Sequence, residues 1–301
     1  MAIDFSQADP SQALGEFALQ EKKHALRVFS DHQNQPSLPG EVLSRTAQRL
    51  DPIAAELAVV SHIACQRGCS WCCRGSRVNV APPEAIAIAE WIVARNADQR
   101  LDLIARANRA AEVVQKTNTD DRWAARMPCA FLDAQGACEI YPVRPLACRM
   151  GNSFDAATCQ RAHETGEGVP SDSRIRVVYA IGRAAIERAA HDSKLQFGYY
   201  ELATAVALAL RTADAASRWA TGGDLFEQAR TPNDDYDAIA AAEAAEQWQP
   251  AGAAAPGRDD VVRSAQEGRS LPMPPVIEQA LAYGSPTVKN KRKRERRARK
   301  G

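Results

Sequence analysis

Cys65, Cys69, Cys72 and Cys73 fall within the nine residues "CQRGCSWCC". Thiols grouped this tightly suit joint work as thiolate ligands of a soft metal, either zinc or an iron–sulfur cluster. The remaining cysteines are Cys129, Cys138, Cys148 and Cys159, so all eight lie in one window of 95 residues, with none in the 64 before it or the 142 after. Cysteines used as small hydrophobes would scatter through a core; these are localised.

The steps of four and three from Cys65 to Cys69 to Cys72 bring three sulfurs to one side of a helix or tight helical turn. Cys73, one residue on, would point about 100° away on a helix. One centre is therefore not expected to take both vicinal thiols; two centres, or one centre and a spectator thiol, suit the pattern better. Eight thiolates divide evenly into two four-sulfur sites. The wider gaps after Cys129 are not the paired knuckles of a zinc ribbon, so spacing leaves zinc and iron–sulfur both open.

Other side chains join the window. Arg67, Arg74, Arg77, Arg144 and Arg149 each lie within five residues of a cysteine and could neutralise anionic metal–thiolate centres. His62 and His163 stand three and four residues from a cysteine, a spacing that permits ligation, although a surface role is commoner. His24, His32 and His191 have no such company. Trp71, between cysteines, is expected to shield the site from water, and Tyr141 to be an ordinary packed or hydrogen-bonded tyrosine. No Ser/His/Asp arrangement, phosphate-cradling glycine loop or H-E-x-x-H sequence is present.

The elements that must hold these residues read as mostly α. After "APPE", Ile86, Ala89, Ile92 and Val93 share a helical face, and Leu101, Ile104, Ala107, Ala111 and Val114 share another. Ile175, Val178, Gly182, Ile186 and Ala189 repeat the period, as do Leu195, Tyr199, Leu202, Val206, Ala209 and Ala213. Segments near 11–29 and 41–63 are Ala/Leu-rich and expected to be helical. Only "RVNV" (Arg77–Val80) alternates like a strand. Residues 127–172 keep no period and are dense in Gly, Pro, Asp and Asn. A loop of that length inside a compact domain needs fastening, and structural metal binding, worth about 10–16 kcal/mol in small zinc peptides, would supply it.

The expected organisation is an N-terminal helical segment over 1–63, a cysteine-cluster domain with flanking helices over 64–228, and a largely disordered low-complexity linker and basic tail over 229–301. A short helix is possible within 274–284. The formal net charge of +1 conceals an asymmetry: Lys289–Lys300 carries a net +8, leaving −7 for the rest. The tail could bind nucleic acid or an acidic partner weakly and non-specifically, since no interleaved aromatics offer base recognition. No basic–apolar leader opens the chain, and the longest apolar run, Leu202–Leu210, is far short of the roughly 20 residues of a membrane span. The expected location is cytoplasmic, where cysteines favour metal over disulfides.

The motifs resemble the YkgJ-type cysteine-cluster family, described as a zinc- or iron-chelating domain. "CQRGCSWCC" is similar to its opening cluster and "APPEAIAIAEWI" to the helix that follows. "PCAFLDAQGACEIYPVRPLACRM" resembles its second motif and "CQRAH" its closing cysteine. The likeness covers roughly 65–165. It implies a metal site with Cys65, Cys69, Cys72, Cys73, Cys129, Cys138, Cys148 and Cys159 as ligands. It does not settle a reaction, although a flagellin lysine N-methylase is among the family's members. A cluster-dependent enzyme, such as a protein lysine N-methylase or a redox enzyme, and a polyanion-binding adaptor acting through the tail are the rival readings. The x3/x2 triplet also matches radical S-adenosylmethionine enzymes, but the helices after it and the fourth thiol argue against that.

Overall fold

The computed structural model describes residues 10–75, 77–117, 127–166 and 168–229. The linker from 230, the expected helix at 274–284 and the basic tail lie outside the described residues, as does the disorder expected there.

The fold is mostly α. Two long helices, α1 (Pro10–Asp31) and α2 (Leu38–Val60), precede the first cysteine cluster. Then come α3 (Pro82–Val93) and α4 (Ala97–Lys116), and, after the second cysteine segment, α5 (Leu146–Met150) and α6 (Ala156–Thr165). The chain closes with α7 (Ser173–Asp192), α8 (Leu202–Arg211) and α9 (Ala215–Ala220). A two-residue antiparallel pair joins β1 (Asn79–Val80) to β2 (Tyr200–Glu201).

One apolar core runs through all the long helices: α7 packs on α1 and α2, while α3 lies between α2 and α8. Helix α3 is central because it is apolar almost all round: Pro82 through Ala89 and Ile92 are buried. A helix without a polar face has to be enclosed. Full burial of each Ile or Leu contributes about 1.5–3 kcal/mol, and Leu50, Ile86, Ile88, Ile92 and Leu103 are all sealed from solvent. Phe29 meets Trp219 edge-on, with centroids 6.2 Å apart.

The helical faces match expectation in α7, where all five periodic residues are buried. Elsewhere they shift. Val93 is 53% and Leu101 64% exposed, and Leu103 takes the core position in α4. The run expected to be helical from Leu195 begins helix only at Leu202, because Tyr200–Glu201 pairs with Asn79–Val80 and the Leu202 amide bonds the Val78 carbonyl. Gln196 further ties this segment to Leu225 and Phe226 through its side-chain oxygen. Tertiary hydrogen bonds override the local period there.

Residues 127–172 contain more structure than an aperiodic reading suggests. Ten of them form α6, capped by Asp155, whose carboxylate accepts from the amides of Ala157 and Thr158. Such a side chain answers amide groups that a helix start leaves unpaired. No helix of the described residues is long and apolar enough to cross a membrane.

Candidate metal centre

The first thiols sit where α2 runs out. Ser61 at its end donates to buried Asp172, and Asp172 exchanges two hydrogen bonds with Asn152: its amide to Asn152 Oδ1 at 2.7 Å and Asn152 Nδ2 to its carbonyl at 3.1 Å. The Ala64 amide bonds the Ser153 carbonyl at 2.8 Å. These links lay residues 61–65 against 151–155. Ser153 then bears on two cysteines: its backbone amide favours the ionised form of Cys65 and its side chain that of Cys159. Cys159 rides on α6, which packs against the 3₁₀ turn Trp71–Cys73.

The second set is hung from the same turn. The Cys129 amide bonds the Cys73 carbonyl at 2.8 Å, and the Gly75 amide bonds the Met127 carbonyl at 2.8 Å. Residues 131–139 fold back on themselves through Asp133–Ala137 and Glu139–Phe131 backbone bonds, opposing Leu132 to Cys138. Arg106 of α4 clamps this fold, donating to the Ala130 and Leu132 carbonyls at 2.7 Å each and pairing with Glu139. Cys148 is positioned by α5, whose first amide, Leu146, bonds the buried carboxylate of Glu84.

Electrostatics shows which thiols are neighbours. Burial pushes Cys65 up to about 11, and Cys69, Cys159 and Cys72 add to the rise. Cys159 is raised by burial, with Cys69 and Cys72 contributing. Burial drives Cys148 well above the usual thiol range, helped by Cys129, Cys138 and Cys72. Cys138 is also raised by burial, and Cys72 chiefly by its hydrogen bond with Cys73. Two neighbourhoods emerge: Cys65, Cys69 and Cys159 on one side, and Cys129, Cys138 and Cys148 on the other. Cys72 feels both. Thus Cys159, last in the chain, belongs with the opening cluster.

The vicinal pair differs from the helical expectation. Cys72 Sγ and Cys73 Sγ are 4.0 Å apart. Successive residues of the 3₁₀ turn stand about 120° apart, so it is the side chains turning toward each other, not the backbone turn, that sets the two thiols side by side. No disulfide joins any of the eight cysteines. Among the described residues, no three His, Cys, Asp or Glu side chains converge closely enough to hold one ion as they stand.

Whether these residues suit an anionic metal–thiolate centre is tested by Arg144. Its Nε is buried without a hydrogen-bond partner, its guanidinium lies over the Tyr141 ring at 4.6 Å, and its charge bears on Cys72, Cys138 and Cys148. A guanidinium with its Nε buried and unbonded beside thiols is the complement of the negative charge such a centre carries. The donor set fits.

Residues 64–166 match the sequence profile of the CxxCxxCC family, described as "Putative zinc- or iron-chelating domain". This stretch is similar to that family's profile over about a third of the chain. It is the family that the motifs resemble, and the matched stretch spans both thiol neighbourhoods, from the residue before Cys65 to just past the end of α6. No curated protein and no solved structure matches the chain.

Of the five arginines, Arg144 has its charge set against Cys72, Cys138 and Cys148. Arg149 is turned away, donating to Asp51 and the Arg144 carbonyl. Arg67 lies over Tyr141 at 5.8 Å, so that ring is stacked by two cations rather than simply packed. Half-buried Trp71 faces His163 of α6 with centroids 5.8 Å apart. His62 is exposed in a left-handed turn, φ 51°. Sequence reasoning passed over Ser153, Glu84 and Arg106. Glu84 alone had a signal, as an acidic residue following a Pro-Pro helix start.

Proposed function

We propose that the CxxCxxCC domain holds zinc or an iron–sulfur cluster through all eight cysteines, in two neighbouring centres. Cys65, Cys69 and Cys159 would serve one, Cys129, Cys138 and Cys148 the other, with Cys72 and Cys73 supplying the fourth sulfur of each. The observation that carries this reading is the partition of the thiols about one 3₁₀ turn, with the Arg144 guanidinium, its Nε unbonded, beside the second group.

Bound metal would supply the positive charge that keeps clustered thiolates together. The chain's own residues do the rest. Ser153 aligns Cys65 and Cys159, Arg106 and Glu84 set the loops bearing Cys129, Cys138 and Cys148, and Arg144 offsets negative charge. Ligation removes the thiol protons that burial now favours. A binding free energy of about 10–16 kcal/mol far exceeds the roughly 0.5–1.5 kcal/mol of moving a side chain off its rotamer, so the thiols can be drawn together.

The test is to purify the protein without oxygen, record its visible spectrum, and count zinc, iron and sulfide per chain in wild type, Cys159→Ser and Cys148→Ser. Each substitution should remove one centre and leave the other. Unchanged metal content in both variants would defeat the assignment.

A further inference from the structure

Beside the second thiol group, and separate from the thiols' own hydrogen bonds, an open cavity of about 350 Å³ lies between α4 and the 128–136 loop. Three arginines line it, Arg74, Arg106 and Arg109, together with Cys129, Asp133 and Gly136. Its size is at the lower end of small-molecule sites, about 300–1,000 Å³.

The three guanidinium groups are not equivalent. Arg106 is spent: Asp102, Glu139 and two loop carbonyls take its donors. Arg74 is held but not neutralised. Its Nε donates to Ser70 Oγ at 3.3 Å and its guanidinium lies 5.8 Å from the Trp71 ring centre. Its Nη2 rests on Gly136, where a Cβ would approach it to 3.4 Å and Ser70 Oγ to 3.1 Å. No carboxylate pairs with it among the described residues. Arg109 sits on α4 three residues past Arg106, exposed, with neither a hydrogen bond nor an ion pair among the described residues. Asp133, the one acid in the lining, has Oδ1 occupied by the Gln135 and Ala137 amides of its own turn.

We infer that this cavity is a binding site for a small molecule bearing a carboxylate or phosphate group, gripped by Arg74 and Arg109. Planar guanidinium forks match both oxyanions, with paired N–H donors at fixed spacing. Among the described residues Asp133 is the one acid lining the cavity and forms an ion pair with neither Arg74 nor Arg109, so these two cations repel each other, and a bound oxyanion relieves that. Arg74 is pre-set by Ser70, Trp71 and Gly136, so little ordering is needed on its side. The remaining volume would take the ligand's body and bring it against Cys129. The site stands on Arg74 and Arg109 alone, whether or not the thiols carry metal.

The experiment is isothermal titration calorimetry of the full-length protein with inorganic phosphate and, separately, citrate, in low-chloride buffer. Metal content and thermal melting are recorded on the same samples. At least one anion should bind below about 1 mM, and Arg109→Gln should weaken it at least about tenfold, or about 1.4 kcal/mol. Metal content and melting temperature should not change. Phosphate alone binding assigns a phosphorylated ligand, and citrate alone a carboxylate. Arg109→Gln alters only an exposed helix position, so it remains decisive should Arg74→Gln disturb the fold. Absence of binding by both anions at 10-fold higher concentration, or equal binding by Arg109→Gln, overturns the site. Anion binding without metal would refute the metal centres and leave this site intact; metal without anion binding would do the reverse.

Discussion

The Glu84 carboxylate accepts a hydrogen bond from the Leu146 amide at 2.7 Å, across 62 residues of sequence. Its other oxygen accepts from the Ala81 amide at 2.8 Å. One buried acid therefore caps the start of α3 and holds the start of α5, two residues before Cys148. Glu84 is 1% exposed, so neither amide has water to turn to. Glu84→Gln keeps one acceptor and should cost roughly 1–3 kcal/mol. Glu84→Ala abandons both amides and should cost more. Urea unfolding checks the order, and limited proteolysis should show new cuts within 140–150 in the alanine variant first.

Arg144 offers a complementary test of charge. Its buried Nε has no partner, yet the guanidinium acts on three cysteines of the window. Replacing a residue that supports metal ligands typically lowers affinity about 10- to 100-fold. Arg144→Gln should thus lose metal faster to a competing chelator. Arg67→Gln, at an exposed residue that lies over Tyr141 at 5.8 Å, should behave as wild type. Equal loss rates for all three proteins would remove Arg144 from the site.

Much of this arrangement could be read from residue types. Helix periods located α7 and five of its nine buried residues, because burial there follows from one amphipathic stripe packing on α1 and α2. The clustering of eight thiols pointed to metal without any coordinates. What spacing could not convey was which thiols meet. Cys159 joins Cys65 because Ser153 touches both, a contact set by loop hydrogen bonds between segments 90 residues apart. The proximity of Cys72 and Cys73 depends on how their side chains turn, which a vicinal pair does not encode. Likewise the helix start at Leu202 was decided by strand pairing with Asn79–Val80, and periodicity is blind to such partners.

Helix α7 crosses α2 at Gly182, and the crossing leaves no room for a side chain. A Cβ at that position would lie 2.4 Å from Leu50 Cδ1 and 3.2 Å from Thr46 Cγ2. Leu50 is sealed in the core, so it has nowhere to retreat. Gly182→Ala should destabilise by about 1–3 kcal/mol through overpacking, despite alanine's better helix propensity. Adding Leu50→Val should recover part of the loss, giving a non-additive pair in urea unfolding. Simple additivity would mean the helices separate rather than clash.

Asp172 ties the segment before Cys65 to the segment before Cys159, and it makes that tie depend on pH. The side chain is fully buried. Burial alone would raise its pKa, but hydrogen bonds from Arg174 and Ser61 outweigh this and hold the carboxyl below its usual value. A depressed pKa means that the folded state favours the ionised form. The resulting stability is present above the unfolded-state pKa of about 3.9. It is lost as pH falls past that value and through the lower folded one. Asp172→Asn should therefore lose roughly 1–3 kcal/mol at pH 7, and the gap from wild type should shrink below about pH 3.9. Urea unfolding of both proteins at pH 7 and pH 3 measures this. A gap of the same size at both pH values would show that the carboxylate's charge contributes nothing to joining the two cysteine-bearing segments.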